Sequence, residues 1–171
     1  MTAGATVSML FLRKPHTQDQ TLINALYERS ASIHIPWTAS PKDYDSYLSE
    51  EGRYFLCLDN SEEIVGAFNI SNIVRGHFQS AYLGYEVFHP HQGKGLMRQG
   101  LNLIIEKAFV DLKLHRLEAN IQPGNFASIA LASGAGFLKE GFSKDYLNIG
   151  GNGWKDHERW ALVNEQWQES E

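Results

Sequence analysis

The chain of 171 residues has a single cysteine, Cys57, and no hydrophobic run long enough to cross a membrane. One thiol cannot form an internal disulfide, so we expect a protein of a reducing, cytoplasmic compartment. The apolar stretch over residues 7–12 is too short for a membrane span or a secretion signal. It is typical of a first β-strand, and Cys57, which lies among apolar residues, is expected to be a structural thiol.

Basic clusters are absent as well. The chain has 15 lysines and arginines against 20 acidic residues, a formal charge of −5, and the basic residues are scattered. Proteins that bind nucleic acids normally present a basic surface, so we expect neither a nucleic acid nor a membrane as partner. His89 and His91 have no cysteine or further histidine close by in the sequence, so we expect no metal site.

Repeats and long linkers are also missing, and 43% of the residues are hydrophobic. This composition indicates one globular domain over residues 1–171, with an ordered core at about 8–163. Hydrophobic periodicity predicts the order strand, two helices, three strands, helix, strand, helix and two strands. The predicted fold is therefore α/β, a single domain with a mixed, largely antiparallel sheet of about seven strands flanked by about four helices.

Turn and capping residues set the expected limits of these elements. A helix of about three turns follows residues 17–20, which resemble a capping box, and a second helix begins at Ser40-Pro41 and ends at Gly52. Gly95 opens a long helix and residues 127–135 form a short one. The later strands are expected at 54–58, 64–70, 80–88, 116–121, 137–148 and 154–163.

The segment between Phe88 and the long helix has the pattern of an anion site. Pro90 ends the strand, and Gly93-Lys94-Gly95 leads into the helix. The first turn of a helix has unpaired N–H groups, and glycines allow a bulky phosphate or diphosphate to approach them. The sequence does not match a nucleotide-binding P-loop, and Arg98 replaces the third glycine of a dinucleotide fingerprint. Taken alone, the pattern is explained equally well by a turn that only joins strand to helix.

The residues around this turn resemble a known motif. Gln92–Met97 is similar to the Arg/Gln-x-x-Gly-x-Gly/Ala motif of the GCN5-related N-acetyltransferase (GNAT) superfamily, which binds the diphosphate of acetyl-CoA, although Met97 departs from it. Asn125–Ser128 and Gly134–Phe137 resemble the segment that closes over the pantetheine arm. The resemblance implies acetyl-CoA as cosubstrate, and cofactor contacts at Val87, Phe88, Gln92, Gly93, Lys94, Gly95, Leu96, Met97, Asn125 and Ser128.

Three further segments narrow the resemblance. His34–Trp37, Lys144–Leu147 and Trp154–His157 are similar to the RimJ/RimL group of ribosomal-protein N-terminal acetyltransferases, and most of all to its RimJ branch. This implies that the acceptor is the N-terminal amine of a protein, with a ribosomal protein as one candidate, and that Trp37, Asp145 and Tyr146 bind the substrate. A polyamine, amino acid or antibiotic amine, or a CoA-binding sensor without turnover, remains an alternative. The protein can be a monomer or a homodimer.

The resemblance also implies direct attack of a neutral amine on the thioester. An α-amine titrates near 8 and a lysine near 10.4, so deprotonation at pH 7 costs roughly 1 and roughly 4–5 kcal/mol respectively, which favours an N-terminus. Glu86 is the first candidate for the base and Glu118 the second. A strand carboxylate of this kind is frequent in the superfamily.

Two further roles follow from the same resemblance. Many relatives place a tyrosine next to the leaving sulfur, where this chain has Ala132, so Ser128 is the candidate hydrogen-bond donor to the thiolate. Asn125 and Ser128 are, on their residue types alone, equally good helix caps. A backbone N–H near Val87 or Phe88 is expected to stabilise the thioester oxyanion.

Overall fold

A single mixed sheet runs through the described part of the chain. The structure is a computed structural model, and it describes residues 9–169. Seven strands lie in the order β1-β2-β3-β4-β5-β7-β6, and only the β4–β5 pair is parallel. Their bounds are β1 Leu10–Arg13, β2 Arg53–Leu58, β3 Ile64–Val74, β4 Ser80–Val87, β5 Arg116–Ile121, β6 Leu138–Leu147 and β7 Lys155–Val163. The predicted fold class is confirmed.

Four α-helices flank the sheet. They are α1 Gln20–His34, α2 Tyr44–Ser49, α3 Leu96–Glu106 and α4 Phe126–Gly134. A 3₁₀ turn at Thr17–Asp19 precedes α1, and α3 continues into a wider π-helical turn at Lys107–Asp111. None of the helices in the described chain combines the length and the hydropathy needed to span a bilayer.

Several predicted boundaries were wrong in detail; strand β3, for example, extends to Val74 rather than to residue 70. Helix α2 does not begin at Ser40-Pro41, because the extended Asp43 is its N-cap and accepts hydrogen bonds from the amides of Asp45 and Ser46. Helix α1 has 15 residues, about four turns rather than three. The first strand starts at Leu10, and the part of that prediction before Met9 lies outside the described residues.

The helices cover the two faces of the sheet with separate apolar cores. Helices α3 and α4 pack on one face, where Leu101, Ile104 and Ala132 are fully buried. Helices α1 and α2 pack on the other, with Tyr27 and Tyr47. Side chains alternate between the faces along a strand, so neighbouring residues of β4 belong to different cores.

Strands β4 and β5 pair over only three residues. The register joins Ser80, Ala81 and Tyr82 to Arg116, Leu117 and Glu118. Beyond Tyr82 strand β4 continues to Val87, paired with β3 but not with β5. A gap therefore opens in the middle of the sheet, between the end of β4 and the end of β5.

Close packing at Gly52 provides a test of the sheet. A Cβ atom added at Gly52 would lie 1.7 Å from the carbonyl oxygen of Ile70, whose amide donates to the Gly52 carbonyl at 2.9 Å. We expect Gly52→Ala to lower the free energy of unfolding by about 3 kcal/mol, because the backbone at Ile70 must shift to make room for the added Cβ atom. Urea unfolding followed by circular dichroism measures the change. Gly84→Ala is the control, since its added Cβ meets no atom within 4 Å, and equal losses in both variants would contradict the packing argument.

Candidate active site

The gap exposes one edge of strand β4. The amide of Phe88 donates to the Val65 carbonyl of β3 at 2.8 Å. Backbone groups alternate between the two sides of a strand, so the amides of Tyr85 and Val87 point away from β3, into the gap. An extended ligand with its own amides can pair with such an edge as an added strand.

A cavity of about 980 Å³ occupies the gap and reaches both faces of the sheet. On the α3/α4 side it is lined by the glycine turn and by Ser128, and on the α1/α2 side by Trp37 and Glu86. Pockets of this volume hold small molecules or the reactive end of a cofactor. The gap thus connects two half-sites across the sheet.

The glycine turn has the conformation that its sequence predicts. Gly93 and Gly95 have φ angles of +72° and +75°, a left-handed region that favours glycine, and Gly95 is the N-cap of α3. A Cβ at either position would meet no atom within 4 Å. The turn therefore presents open backbone at the positive end of the α3 dipole, where a diphosphate binds well.

Most of the residues predicted to contact the cofactor meet at this cavity. Eight of them line it: Val87, Gln92, Gly93, Gly95, Leu96, Met97, Asn125 and Ser128. Phe88 does not, because its ring is fully buried and its amide is already bonded to Val65. This corrects the expectation for Phe88, while the Val87 amide, which points into the gap, stays the predicted backbone donor. Lys94 is exposed and lies outside the cavity lining.

Ser128 has a partner that the sequence analysis missed. The hydroxyl of Tyr85 lies 2.9 Å from the Ser128 hydroxyl and 3.2 Å from its carbonyl oxygen. Burial raises the pKa of Tyr85, so its phenol stays protonated. Strand alternation was the available signal, because it places Tyr85 on the α4 side when Glu86 faces α1.

The Asn125 side chain caps α4 through the Ser128 amide at 3.3 Å.

Glu86 lies on the opposite face, within a network of hydroxyl groups. The Tyr27 hydroxyl donates to one carboxylate oxygen, and Thr38 Oγ1 donates to the other at 3.1 Å. The Tyr47 hydroxyl is 3.1 Å from that of Tyr27, and the Arg53 guanidinium stacks 3.8 Å from the centre of the Tyr47 ring. Burial raises the pKa values of Tyr27 and Tyr47. Both phenols therefore stay protonated, Tyr27 as a donor to the carboxylate and Tyr47 as the partner of the Tyr27 hydroxyl.

Glu118, the second candidate for the base, is engaged elsewhere. Its carboxylate accepts from Arg116 Nε at 2.7 Å, and it lies at the last residue pair of β4 and β5, before the gap opens. It is not part of the cavity lining. The structure therefore corrects the expectation for Glu118 and leaves Glu86 as the carboxylate at the gap.

The three predicted substrate residues lie in different places. Trp37 lines the cavity, and its ring is 3.2 Å from the position of a Cβ on Gly124. Tyr146 and Asp145 are not in the lining. The Tyr146 ring packs edge-on against His157, with 6.3 Å between centroids, and the amide of Asp145 donates to Asp156 at 2.8 Å. Only Trp37 is placed to contact a substrate in the cavity directly.

Two buried acceptor atoms in the cavity wall have no partner. Over residues 9–169 they are Asn120 Oδ1 and His157 Nε2, the only buried side-chain polar atoms of this kind. His157 is 1% exposed, and its other ring nitrogen lies 2.8 Å from the Lys155 carbonyl. Leaving a buried polar group unpaired costs roughly 1–3 kcal/mol, so the pair requires an explanation.

Comparison with known proteins defines the class of protein. The family described as "Acetyltransferase (GNAT) domain" matches residues 9–138. A probable N-acetyltransferase of Bacillus subtilis is 36% identical over 67% of this chain and 63% of its own length. The Escherichia coli [ribosomal protein uS5]-alanine N-acetyltransferase is 35% identical over 95% of this chain and 91% of its own length.

Solved structures agree with the sequence matches. Mycobacterium smegmatis RimJ in complex with CoA-disulfide has a TM-score of 0.83 at 25% identity, and the match covers 95% of this chain and 86% of that one. Spermidine N-acetyltransferase from Vibrio cholerae, with CoA and spermine, shares the fold at a TM-score of 0.76 and 21% identity, over 92% and 97% of the two chains.

The fold and the cavity are those of an acetyltransferase that uses acetyl-CoA. The chain belongs to the GNAT acetyltransferase family, and its relatives include enzymes of the RimJ type. This confirms the superfamily assignment made from Gln92–Met97.

The glycine turn allows a direct test of cofactor binding. We expect Gly95→Ala to raise the Kd for CoA by about tenfold or more, because a side chain at this φ angle strains the turn and narrows the approach of the diphosphate. Isothermal titration with CoA measures the effect. Gly76→Ala is the matched control, since Gly76 also has a positive φ of +65° in open space but lies in the β3–β4 turn. An unchanged Kd in Gly95→Ala would place the diphosphate elsewhere.

Proposed function

We propose that this protein transfers an acetyl group from acetyl-CoA directly to the α-amine of a protein N-terminus, with a ribosomal protein as the first candidate. The observation that carries the proposal is the cavity through the β4–β5 gap, which joins a diphosphate turn on one face to Glu86 and Trp37 on the other. The 35% identity with the uS5-alanine enzyme over almost the whole chain supports this acceptor class.

On the α3/α4 side, the residues fit acetyl-CoA. The turn at Gly93 and Gly95 holds the diphosphate, and the free edge of β4 pairs with the amides of the pantetheine arm. That path leads the thioester to Val87 and Ser128. The Val87 amide then stabilises the oxyanion that forms on the carbonyl.

The charge of the cavity favours a peptide over a polyamine. The charged lining residues other than histidines are three carboxylates and three cations: Asp43, Glu50, Glu86, Lys42, Arg53 and Arg98. Arg98 belongs to α3, on the cofactor side, so the acceptor side has an excess of one carboxylate. A polyamine has several positive charges and requires a larger excess. A peptide N-terminus has a single ammonium group followed by amides, and it suits this small excess better.

The reaction needs two proton transfers and no covalent enzyme intermediate. Glu86, directly or through one water, takes a proton from the ammonium group, and the neutral amine attacks the thioester carbon. The C–S bond breaks as the tetrahedral intermediate collapses. The nitrogen passes its second proton to solvent water. The CoA thiolate is stabilised by the Ser128 hydroxyl, which Tyr85 supports by a hydrogen bond, and it takes up a proton from solvent as it leaves. The products are the N-acetyl peptide and CoA.

An acceptor panel tests the proposed substrate class. With acetyl-CoA, we expect hexapeptides that begin with alanine, serine or methionine to gain one acetyl group at the α-amine, at rates at least tenfold above that of spermidine. Mass spectrometry locates the acetyl group, and a peptide with a blocked N-terminus and an internal lysine is the control. Preferential acetylation of spermidine would support the polyamine alternative, and CoA binding without thiol release for any amine would support the sensor alternative.

Variants at the gap test the proposed chemistry. We expect Glu86→Gln to lower kcat about a hundredfold, and Ser128→Ala and Tyr85→Phe about tenfold each, with free thiol release as the measurement. Because Tyr85 acts through Ser128, the double variant should be no slower than Ser128→Ala alone. Tyr44→Phe, whose hydroxyl bonds to Asn24 outside the cavity, is the control. Additive losses would mean that Tyr85 and Ser128 act separately.

A further inference from the structure

The two unpaired acceptor atoms in the cavity wall can take part in the acetyl transfer. We propose that Asn120 Oδ1 and His157 Nε2 form a subsite that holds the reacting nitrogen of the acceptor by two of its N–H groups. The inference rests on the proposed function in that the acceptor is a primary amine, but it does not depend on which amine.

The hydrogen-bond pattern of His157 determines what its free nitrogen can do. The other nitrogen, Nδ1, lies 2.8 Å from the backbone carbonyl of Lys155, and a carbonyl can only accept. Nδ1 therefore bears the hydrogen, and in the neutral ring Nε2 presents a lone pair. The ring is held in place by this bond and by its edge-on contact with Tyr146.

Strand register places the two acceptors on the same face of the sheet. Asn120 of β5 pairs with Arg159 of β7, and His157 is two residues from Arg159, so it has the same orientation. Diagonal neighbours of this kind are roughly 7–8 Å apart at Cα, which is within reach of long side chains. One nitrogen atom between the two side chains can therefore reach both.

This face is also the one that Glu86 occupies. The Leu117 and Ala119 side chains belong to the α3/α4 core, so Asn120 faces the α1/α2 side. Asn120 lies just past Glu118, the last β5 residue paired with β4, and both Asn120 and His157 line the cavity. The subsite thus borders the gap on its β5 side, and Glu86 borders it on the β4 side.

The chemistry of the pair specifies a donor. Two lone pairs would repel a carbonyl or a carboxylate, whereas a primary ammonium has three N–H groups. Two of these satisfy Asn120 and His157, and the third remains for the transfer to Glu86. An Nα,Nα-dimethylated N-terminus has the same charge but only one N–H, so it cannot satisfy both acceptors.

Competition binding to the enzyme saturated with CoA tests the subsite. The probes are a hexapeptide beginning with alanine and its Nα,Nα-dimethyl form, and a second pair of small amines, propylamine and N,N-dimethylpropylamine. We expect the wild type to prefer each free amine by about tenfold over its dimethyl form. Asn120→Leu and His157→Phe should each reduce this preference, and the double variant should remove it.

Conservative and distant variants separate this role from loss of structure. Asn120→Asp keeps an acceptor oxygen and should retain the preference, and His77→Gln, in the exposed β3–β4 turn, should leave it unchanged. The ratio of two affinities for one variant is insensitive to a general loss of folded protein. Unchanged Kd for CoA in each variant verifies that the cofactor half of the site is intact.

The outcomes distinguish this inference from the proposed function. If the peptide is acetylated and the double variant keeps the full preference for free over dimethylated amines, the subsite is overturned and the proposed function stands. A second outcome has three parts: the wild type discriminates between the small amines, the double variant does not, and the peptide does not bind. This outcome supports the subsite and refutes the peptide acceptor. Equal affinity of the wild type for the free and dimethylated amines overturns the subsite.

Discussion

The separation of β4 from β5 is the constraint on which the site depends. The two strands share only three residue pairs, so the edge of β4 that faces the gap pairs with no strand up to Val87, whose carbonyl lies 2.7 Å from His34 Nε2. Unpaired edges in the interior of a sheet are unfavourable, because backbone amides lose water without gaining partners. A cosubstrate with amides of its own restores those hydrogen bonds. Under the proposed function, the gap binds the extended arm of the cosubstrate and brings its reactive end to the middle of the sheet.

The two faces of the sheet present different side chains at this gap. Alternation along β4 sends Tyr85 to the α3/α4 face, beside Ser128, and Glu86 to the α1/α2 face, beside Tyr27 and Thr38. Under the proposed function, these two adjacent residues act on the leaving sulfur and on the incoming amine from opposite faces of one strand.

Patterns that are local in the sequence were sufficient for the fold and for the cofactor turn. The order of helices and strands along the chain, the bounds of β5 and the open glycines at 93 and 95 follow from periodicity and from backbone preferences. The start of α2 was missed because Ser40-Pro41 resembles a helix start, while Asp43 makes the actual cap bonds. Contacts between distant segments were harder to foresee. The bond from the Phe88 amide to Val65 has no local signature, whereas Arg116 and Glu118 are two residues apart on one face of β5, so their pairing could have been foreseen from the sequence.

The same limit explains why Asn120 and His157 stand out only in three dimensions. They are separated by 37 positions along the chain, and the β5–β7 pairing brings them to one wall. Proteins seldom leave two acceptors buried and unpaired on the same wall, because each destabilises the fold unless a ligand donates to it. A bound group that donates to both atoms would recover this loss in stability. An amine bound between the two acceptors would supply the missing hydrogen bonds. It would do so at the step where the position of its nitrogen decides the rate, since attack requires the nitrogen to lie close to the thioester carbon.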